Sequence, residues 1–168
     1  MRQTSPKHAT AHLAKEEVEL KYRRALELKD RGEYEAARDV MFPLWKGVGH
    51  RPKTTGLDDD LAARVLLCAG ILTGWLGYIS GIKEADDYAR DLITESSRLF
   101  EALGNTRKVA EAKAELGHCY WRAGDNDTAR ILFTEALKRL TGGGNDQSKP
   151  WQRSRVRILR RRKNWLVF

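Results

Sequence analysis

The heptapeptide ARDLITE at residues 89–95 recurs as ARILFTE at residues 129–135, with five of seven positions identical at an offset of 40 residues. A weaker copy, ARDVMFP at residues 37–43, shares the Ala-Arg-Asp start of ARDLITE. Twelve residues before the first Ala of each copy lie the small residues Ala25, Gly77 and Gly117. Recurrence of side chains at fixed spacing indicates a chain built from similar structural units.

The composition around these copies predicts helix throughout. Ala, Leu, Glu, Lys and Arg dominate, and all five favour helices. Alternating β-branched runs and Asn-Gly turns, which mark hairpins, are absent from the sequence. Turn signals separate six predicted helices, at residues 10–31, 33–48, 59–80, 84–103, 106–123 and 126–140. Pro43 is expected to shorten or kink the second helix, and Asp58 or Asp59 to cap the third. The predicted fold class is all-α.

These residues resemble the tetratricopeptide repeat (TPR) family, whose unit is a pair of antiparallel helices of about 34 residues. The copies cover residues 18–51, 70–103 and 110–143, and the third fits best. The resemblance implies a short right-handed TPR-like α-solenoid over residues 10–143, similar to bacterial proteins of this family. A fragment of a longer array is also consistent with the resemblance. The residues expected to pack the repeats are Ala25, Ala37, Leu76, Gly77, Ala89, Leu116, Gly117, Tyr120, Ala129 and Phe133.

The resemblance also implies a function, because the first helix of each pair in such stacks lines a concave binding surface. The expected activity is a protein–protein interaction module or scaffold that holds a peptide or partner helix in a groove. The expected groove residues are Tyr22, Leu26, Lys29, Tyr78, His118, Trp121 and Arg122. This mixture of aromatic and charged side chains is typical of interface hot spots. Ordinary core packing between repeats remains the alternative for several of the aromatic residues.

The net charge of +8 is confined to one end of the chain. Residues 149–168 hold eight basic side chains and no acidic one, so residues 1–148 are neutral overall. Three interpretations of the segment 144–168, which we predict to be helical, stay open: a cap over the last pair, a basic arm, or an end left by truncation or a frame change. As an arm, it would bind nucleic acid or an anionic membrane. The residues that would contact nucleic acid are Arg155, Arg157, Arg160, Arg161, Arg162 and Lys163.

The remaining sequence features argue against catalysis. We find no catalytic constellation. His8 and His12 have the i, i+4 spacing that could place two imidazoles on one helical face, but no acidic residue lies between them, so no metal site is expected. The chain is therefore predicted not to be an enzyme and to need no cofactor. Cys68 and Cys119 are interpreted as small core residues of a reduced, cytoplasmic protein. Residues 1–9 are polar and are expected to form a flexible N-terminus. No run of 18 apolar residues occurs, so no membrane span is expected, and self-association is a further expectation.

Overall fold

The computed structural model describes the backbone of residues 6–142 and the side chains of residues 15–141. Within this range the chain forms six α-helices and no strand, which confirms the all-α prediction. The helices are α1 (Pro6–Asp30), α2 (Tyr34–Met41), α3 (Asp59–Ser80), α4 (Ala85–Ala102), α5 (Thr106–Arg122) and α6 (Asn126–Gly142).

Two helix bounds differ from the sequence prediction, and proline explains the second. Helix α1 extends over Pro6–Asp30 and so includes residues 6–9, which precede the predicted start at residue 10. Helix α2 ends at Met41 instead of continuing to residue 48. Phe42, which precedes Pro43, has the extended conformation that a following proline favours (φ −67°, ψ 135°).

Helices α3 and α4 pack against each other along a row of glycines. A Cβ atom on Gly70, Gly74 or Gly77 would collide with a side chain of the neighbouring helices; on Gly70 it would lie 2.6 Å from Cγ1 of Ile93. Gly77 faces Ala85 near the start of α4, whereas Gly70 faces residue 93 further along it, so the two helices run antiparallel. Gly77, one of the residues expected to pack the repeats, is therefore a point of close approach between α3 and α4.

Helices α5 and α6 form a second antiparallel pair. The nearest atoms to a Cβ on Gly117 belong to the ring of Phe133, with Cε1 at 2.9 Å. Lys113, one turn before Gly117 on α5, pairs with Glu135, two residues after Phe133 on α6, so the two helices run in opposite directions. Every residue expected to pack the repeats is buried or half-buried. Ala89 and Ala129, the two alanines that begin the sequence copies, are completely buried.

The first helices of the three pairs lie side by side and point the same way. Helix α1 contacts α2 and α3, and α3 in turn contacts α4 and α5. Lys15 of α1 pairs with Asp58 before α3, and Glu19 pairs with Arg64 one turn later, so α1 and α3 are parallel. The end of α5 lies beside the last turns of α3, because Arg122 fills the space next to Gly74. The turns at 31–33, 81–84 and 123–125 therefore lie at one edge of the protein, which we call the turn edge.

Helix α3 is the central helix of the fold. By length and composition it could cross a membrane, which the sequence analysis did not anticipate. However, 78% of its most apolar 18-residue window is buried inside the protein. In this fold, its apolar surface is covered by the helices on either side.

A pH-dependent stability difference is expected at the start of α3. Asp58 caps this helix by accepting a hydrogen bond from the backbone N–H of Leu61 at 2.9 Å. The hydrogen bond from Lys15 and then this backbone bond hold the pKa of Asp58 below its usual value. A carboxyl with a lowered folded-state pKa stabilises the fold above its unfolded pKa and loses that contribution as the pH falls through the folded value.

Asp58→Ala is therefore expected to cost about 1 kcal/mol at pH 7, a typical value for a lost N-cap. This cost should shrink as the pH is lowered below about 4, the ordinary aspartate pKa. The neutral cap Asn105, which accepts from the N–H of Lys108 at 3.1 Å, provides the control. In urea unfolding, Asn105→Ala should lower the free energy of unfolding by a similar amount at pH 7 and below pH 4. If Asp58→Ala lowered the free energy of unfolding as much in acid as at pH 7, this account would be contradicted.

Candidate functional site

Trp75 on α3 joins all three helix pairs. The Tyr34 ring at the start of α2 stacks on Trp75 at a centroid distance of 5.5 Å, with the ring planes 6° apart. The guanidinium of Arg122, at the end of α5, lies 5.1 Å from the Trp75 ring. The stacking and cation–π contacts hold the three helix pairs together close to the turn edge.

Arg122 is a buried structural side chain, although the sequence analysis placed it in the groove. Only 2% of the side chain is exposed. Its Nε and Nη2 donate to Oδ1 of Asp86 on α4, at 3.1 and 2.9 Å, and Nη2 also donates to Cys119 Sγ at 3.2 Å. The guanidinium occupies the space that Gly74 leaves open on α3. Arg122 therefore ties α5 to α4 and α3, and it offers no charge to a partner at the surface.

Two further predicted groove residues also lie in the core. Tyr22 of α1 and His118 of α5 are both buried. The His118 ring packs edge-on against Phe133 at 5.0 Å and lies 6.3 Å from Trp75. For these residues the structure favours the alternative of core packing between repeats. Lys29 is mostly covered and Leu26 is half-buried.

The carboxylates of α5 act electrostatically on two side chains of α1. Burial, and then the carboxylate of Glu111, raise the pKa of Tyr22. Burial lowers the pKa of Lys29, but its hydrogen bond to Asp30 and the carboxylates of Glu115 and Glu111 raise it further than burial lowers it. Most of α3 between Leu61 and Gly77 is buried as well, so little surface is left for a partner at the centre of the predicted groove.

Exposed apolar side chains gather at the turn edge instead. Tyr78 is 58% exposed, Ile79 63% and Ile82 42%. They adjoin the half-buried Trp75 and Tyr34, since Tyr78 meets Trp75 edge-on at 6.5 Å and Ile79 lies one helical turn beyond Trp75. We call these five residues the edge patch. Trp121, 39% exposed, lies on the last turn of α5 outside the patch.

Sequence reasoning found only Tyr78 among the members of the edge patch. A signal for Ile79 and Ile82 was present in LGYISGI at residues 76–82, where apolar residues occur on both sides of the glycine that ends α3. Gly81 ends the helix in the left-handed conformation (φ 67°). Side chains beyond the last full turn project past the neighbouring helices, so apolar residues here stay uncovered.

The turn edge is acidic as well as apolar. Residues 29–35, 80–88 and 122–128 together hold eight acidic side chains and four basic ones, although residues 1–148 as a whole are neutral. These turns precede α2, α4 and α6, and acidic side chains at helix starts are stabilised by the helix dipole. The same arrangement places a negative potential around the edge patch.

Other chemistry has little support in the described residues. Between residues 15 and 141 no group of three or more His, Cys, Asp or Glu side chains could hold a metal ion. An open pocket of about 280 Å³ at the end of α2 is lined by Arg38, Asp39, Phe42, Trp45 and Lys46, and its Arg38 guanidinium is paired with Asp39. This lining provides no nucleophile and base pair.

The two cysteine thiols are expected to be unreactive in the native protein. Burial raises the pKa of Cys68 to about 12 and that of Cys119 to about 11. Since the thiolate is the reactive form, a water-soluble disulfide reagent should label neither thiol at pH 8 until the protein unfolds. Both should then react in guanidinium chloride, and rapid labelling of the native protein would contradict the burial of these residues.

No family model matches this chain, and neither a curated protein nor a solved structure is similar to it. The resemblance to the tetratricopeptide repeat therefore depends on the sequence residues quoted above.

Proposed function

We propose that this chain is a non-catalytic, cytoplasmic protein–protein interaction module in which three helix pairs stack as a short TPR-like solenoid. The helix contacts support this arrangement. Helices α3–α4 and α5–α6 are antiparallel pairs, the first helices lie parallel to one another, and α4 of the second pair also contacts α5 of the third. A stack of this kind brings the ends of its first helices to one edge, where they can together contact a partner.

The edge patch is the observation that carries the proposal. Exposed apolar clusters with aromatic members mark interaction sites on proteins, and aromatic residues contribute a large share of interface energy. We therefore place the partner on the edge patch, at the rim of the groove, and not on the buried centre formed by Tyr22, His118 and Arg122. A short peptide or a partner helix with an apolar face fits such a surface.

The alternative of nucleic-acid binding through the basic segment stays a prediction. Its six proposed contact residues, like all of residues 143–168, lie outside the described part of the chain. Within the described part, acidic side chains surround the edge patch, and an acidic surface repels a phosphate backbone. The described residues therefore favour a protein partner.

Peptide selection with the full chain tests the proposal. Peptides selected from a random library on the wild-type protein should bind Ile79→Glu at least tenfold more weakly, because a charge replaces the most exposed apolar side chain of the patch. Ile131 on α6 is 56% exposed and lies outside the patch, so Ile131→Glu is the matched control and should bind normally. Failure to select any binder, or equal affinity for wild type and Ile79→Glu, would contradict the proposal.

A further inference from the structure

We propose that the edge patch has a ligand within the same chain, the basic segment of residues 149–168, which docks there and competes with the partner. This inference rests on the proposed function, because it takes the edge patch as the binding surface. It assigns the segment a regulatory role as an internal competitor.

Charge complementarity is the first argument. The segment carries eight basic side chains and no acidic one, and the stretches 29–35, 80–88 and 122–128 at the turn edge together carry an excess of four acidic side chains. Opposite potentials on two parts of one chain attract over about 8–10 Å at physiological ionic strength. The rest of residues 1–148 holds 19 basic and 15 acidic side chains, so the turn edge is the region that this attraction favours.

Apolar complementarity is the second argument. On a helix, Trp151, Ile158, Leu159, Trp165 and Leu166 fall at spacings of 7, 8, 14 and 15 residues from the first, which places them on one face. An apolar face flanked by arginines matches a patch of Tyr, Trp and Ile side chains flanked by carboxylates. Arginine also stacks on aromatic rings, as Arg122 does on Trp75.

The length of chain is sufficient for the contact. Helix α6 starts at the turn edge and, with 17 residues, ends about 25 Å away from it. Residues 143–150 can span about 26–29 Å when extended, so the segment that follows can return to the edge patch. An intramolecular ligand has an effective concentration in the millimolar range for short connections, so even a weak contact would be well populated.

Limited trypsin digestion of the full chain tests the docking. Cleavage between Arg153 and Lys163 should be at least fivefold faster in Ile79→Lys than in wild type, because a lysine in the patch repels the basic segment, and it should also accelerate in 1 M salt. Ile131→Lys, outside the patch, should be cut at the wild-type rate. Equal rates for wild type and Ile79→Lys would overturn the proposal. Wild-type protection that grows with protein concentration would also overturn it, since docking would then occur between two molecules.

A charge-reversal variant separates this inference from the proposed function. In Arg160→Glu/Arg161→Glu/Arg162→Glu, a peptide that binds the edge patch should bind at least threefold more tightly, because its competitor is weakened. If the peptide binds wild type and this variant equally, but fails to bind Ile79→Glu, the internal ligand is wrong and the proposed function stands. If the segment is released in Ile79→Lys but no peptide binds the patch, the proposed function is wrong and the docking stands.

Discussion

Asp86→Ala is expected to destabilise the protein by about 3 kcal/mol, the cost of leaving a buried charge without its partner. Asp86 is the carboxylate that accepts two hydrogen bonds from Arg122, whose side chain is only 2% exposed. Removing Asp86 leaves the guanidinium between α3, α4 and α5 with neither solvent nor a counter-charge. Urea unfolding of the variant and of wild type measures the loss.

Asp127→Ala is the matched control for Asp86→Ala. Asp127 also lies in the first turn of its helix and pairs with an arginine, Arg130, but these side chains are 87% and 63% exposed. Because the helix-dipole contribution is similar at both sites, the difference between the variants isolates burial. We expect Asp127→Ala to cost less than about 0.5 kcal/mol. The double variant Asp86→Ala/Arg122→Met should recover part of the loss, and equal costs for the two single variants would contradict a buried ion pair.

Gly77→Leu is expected to cost about 3 kcal/mol or more, because it overfills the contact between α3 and α4. Any Cβ on Gly77 would overlap Ala85, whose own backbone lies directly behind its side chain. A leucine also favours helix over glycine by about 0.5–1 kcal/mol, so a net destabilisation would come from the packing alone. The change in Tm and in the urea midpoint measures this effect.

Ser80→Leu is the control for Gly77→Leu. Ser80 is the last residue of the same helix and is exposed, so the same side chain there meets no neighbouring helix. Surface substitutions of this kind usually change the free energy of unfolding by less than about 0.5 kcal/mol. A Gly77→Leu protein as stable as Ser80→Leu would show that α3 and α4 do not approach at this glycine.

The helices and their contacts could largely be predicted from sequence, because local signals determine them. The recurrence of Ala89 and Ala129 in the two copies located residues that are completely buried, and Pro43 indicated the early end of α2. The exposure of the groove residues could not be predicted in the same way. Whether Tyr22 or His118 faces solvent depends on where the neighbouring helices lie. The spacing of residues along one helix does not predict the position of another helix.

The exposure of the edge-patch residues could not be predicted from sequence for the same reason. Ile79 continues the apolar pattern of a buried helix, and Ile82 follows directly after Gly81. Only the position of the neighbouring helices leaves these two side chains exposed. The Asp86–Arg122 pair joins residues 36 positions apart, and neither residue has a sequence feature that indicates the other. Long-range pairs of this kind need the three-dimensional arrangement.

Backbone amide NMR of the full chain, titrated with a peptide selected as described above, tests the central claim most directly. The account predicts that the largest chemical-shift changes fall on the backbone amides of residues 34 and 75–82, and that Ile79→Glu abolishes these changes. Changes centred on the buried face around Tyr22 and Glu111, with the amides of residues 75–82 unaffected, would contradict the edge patch as the binding surface.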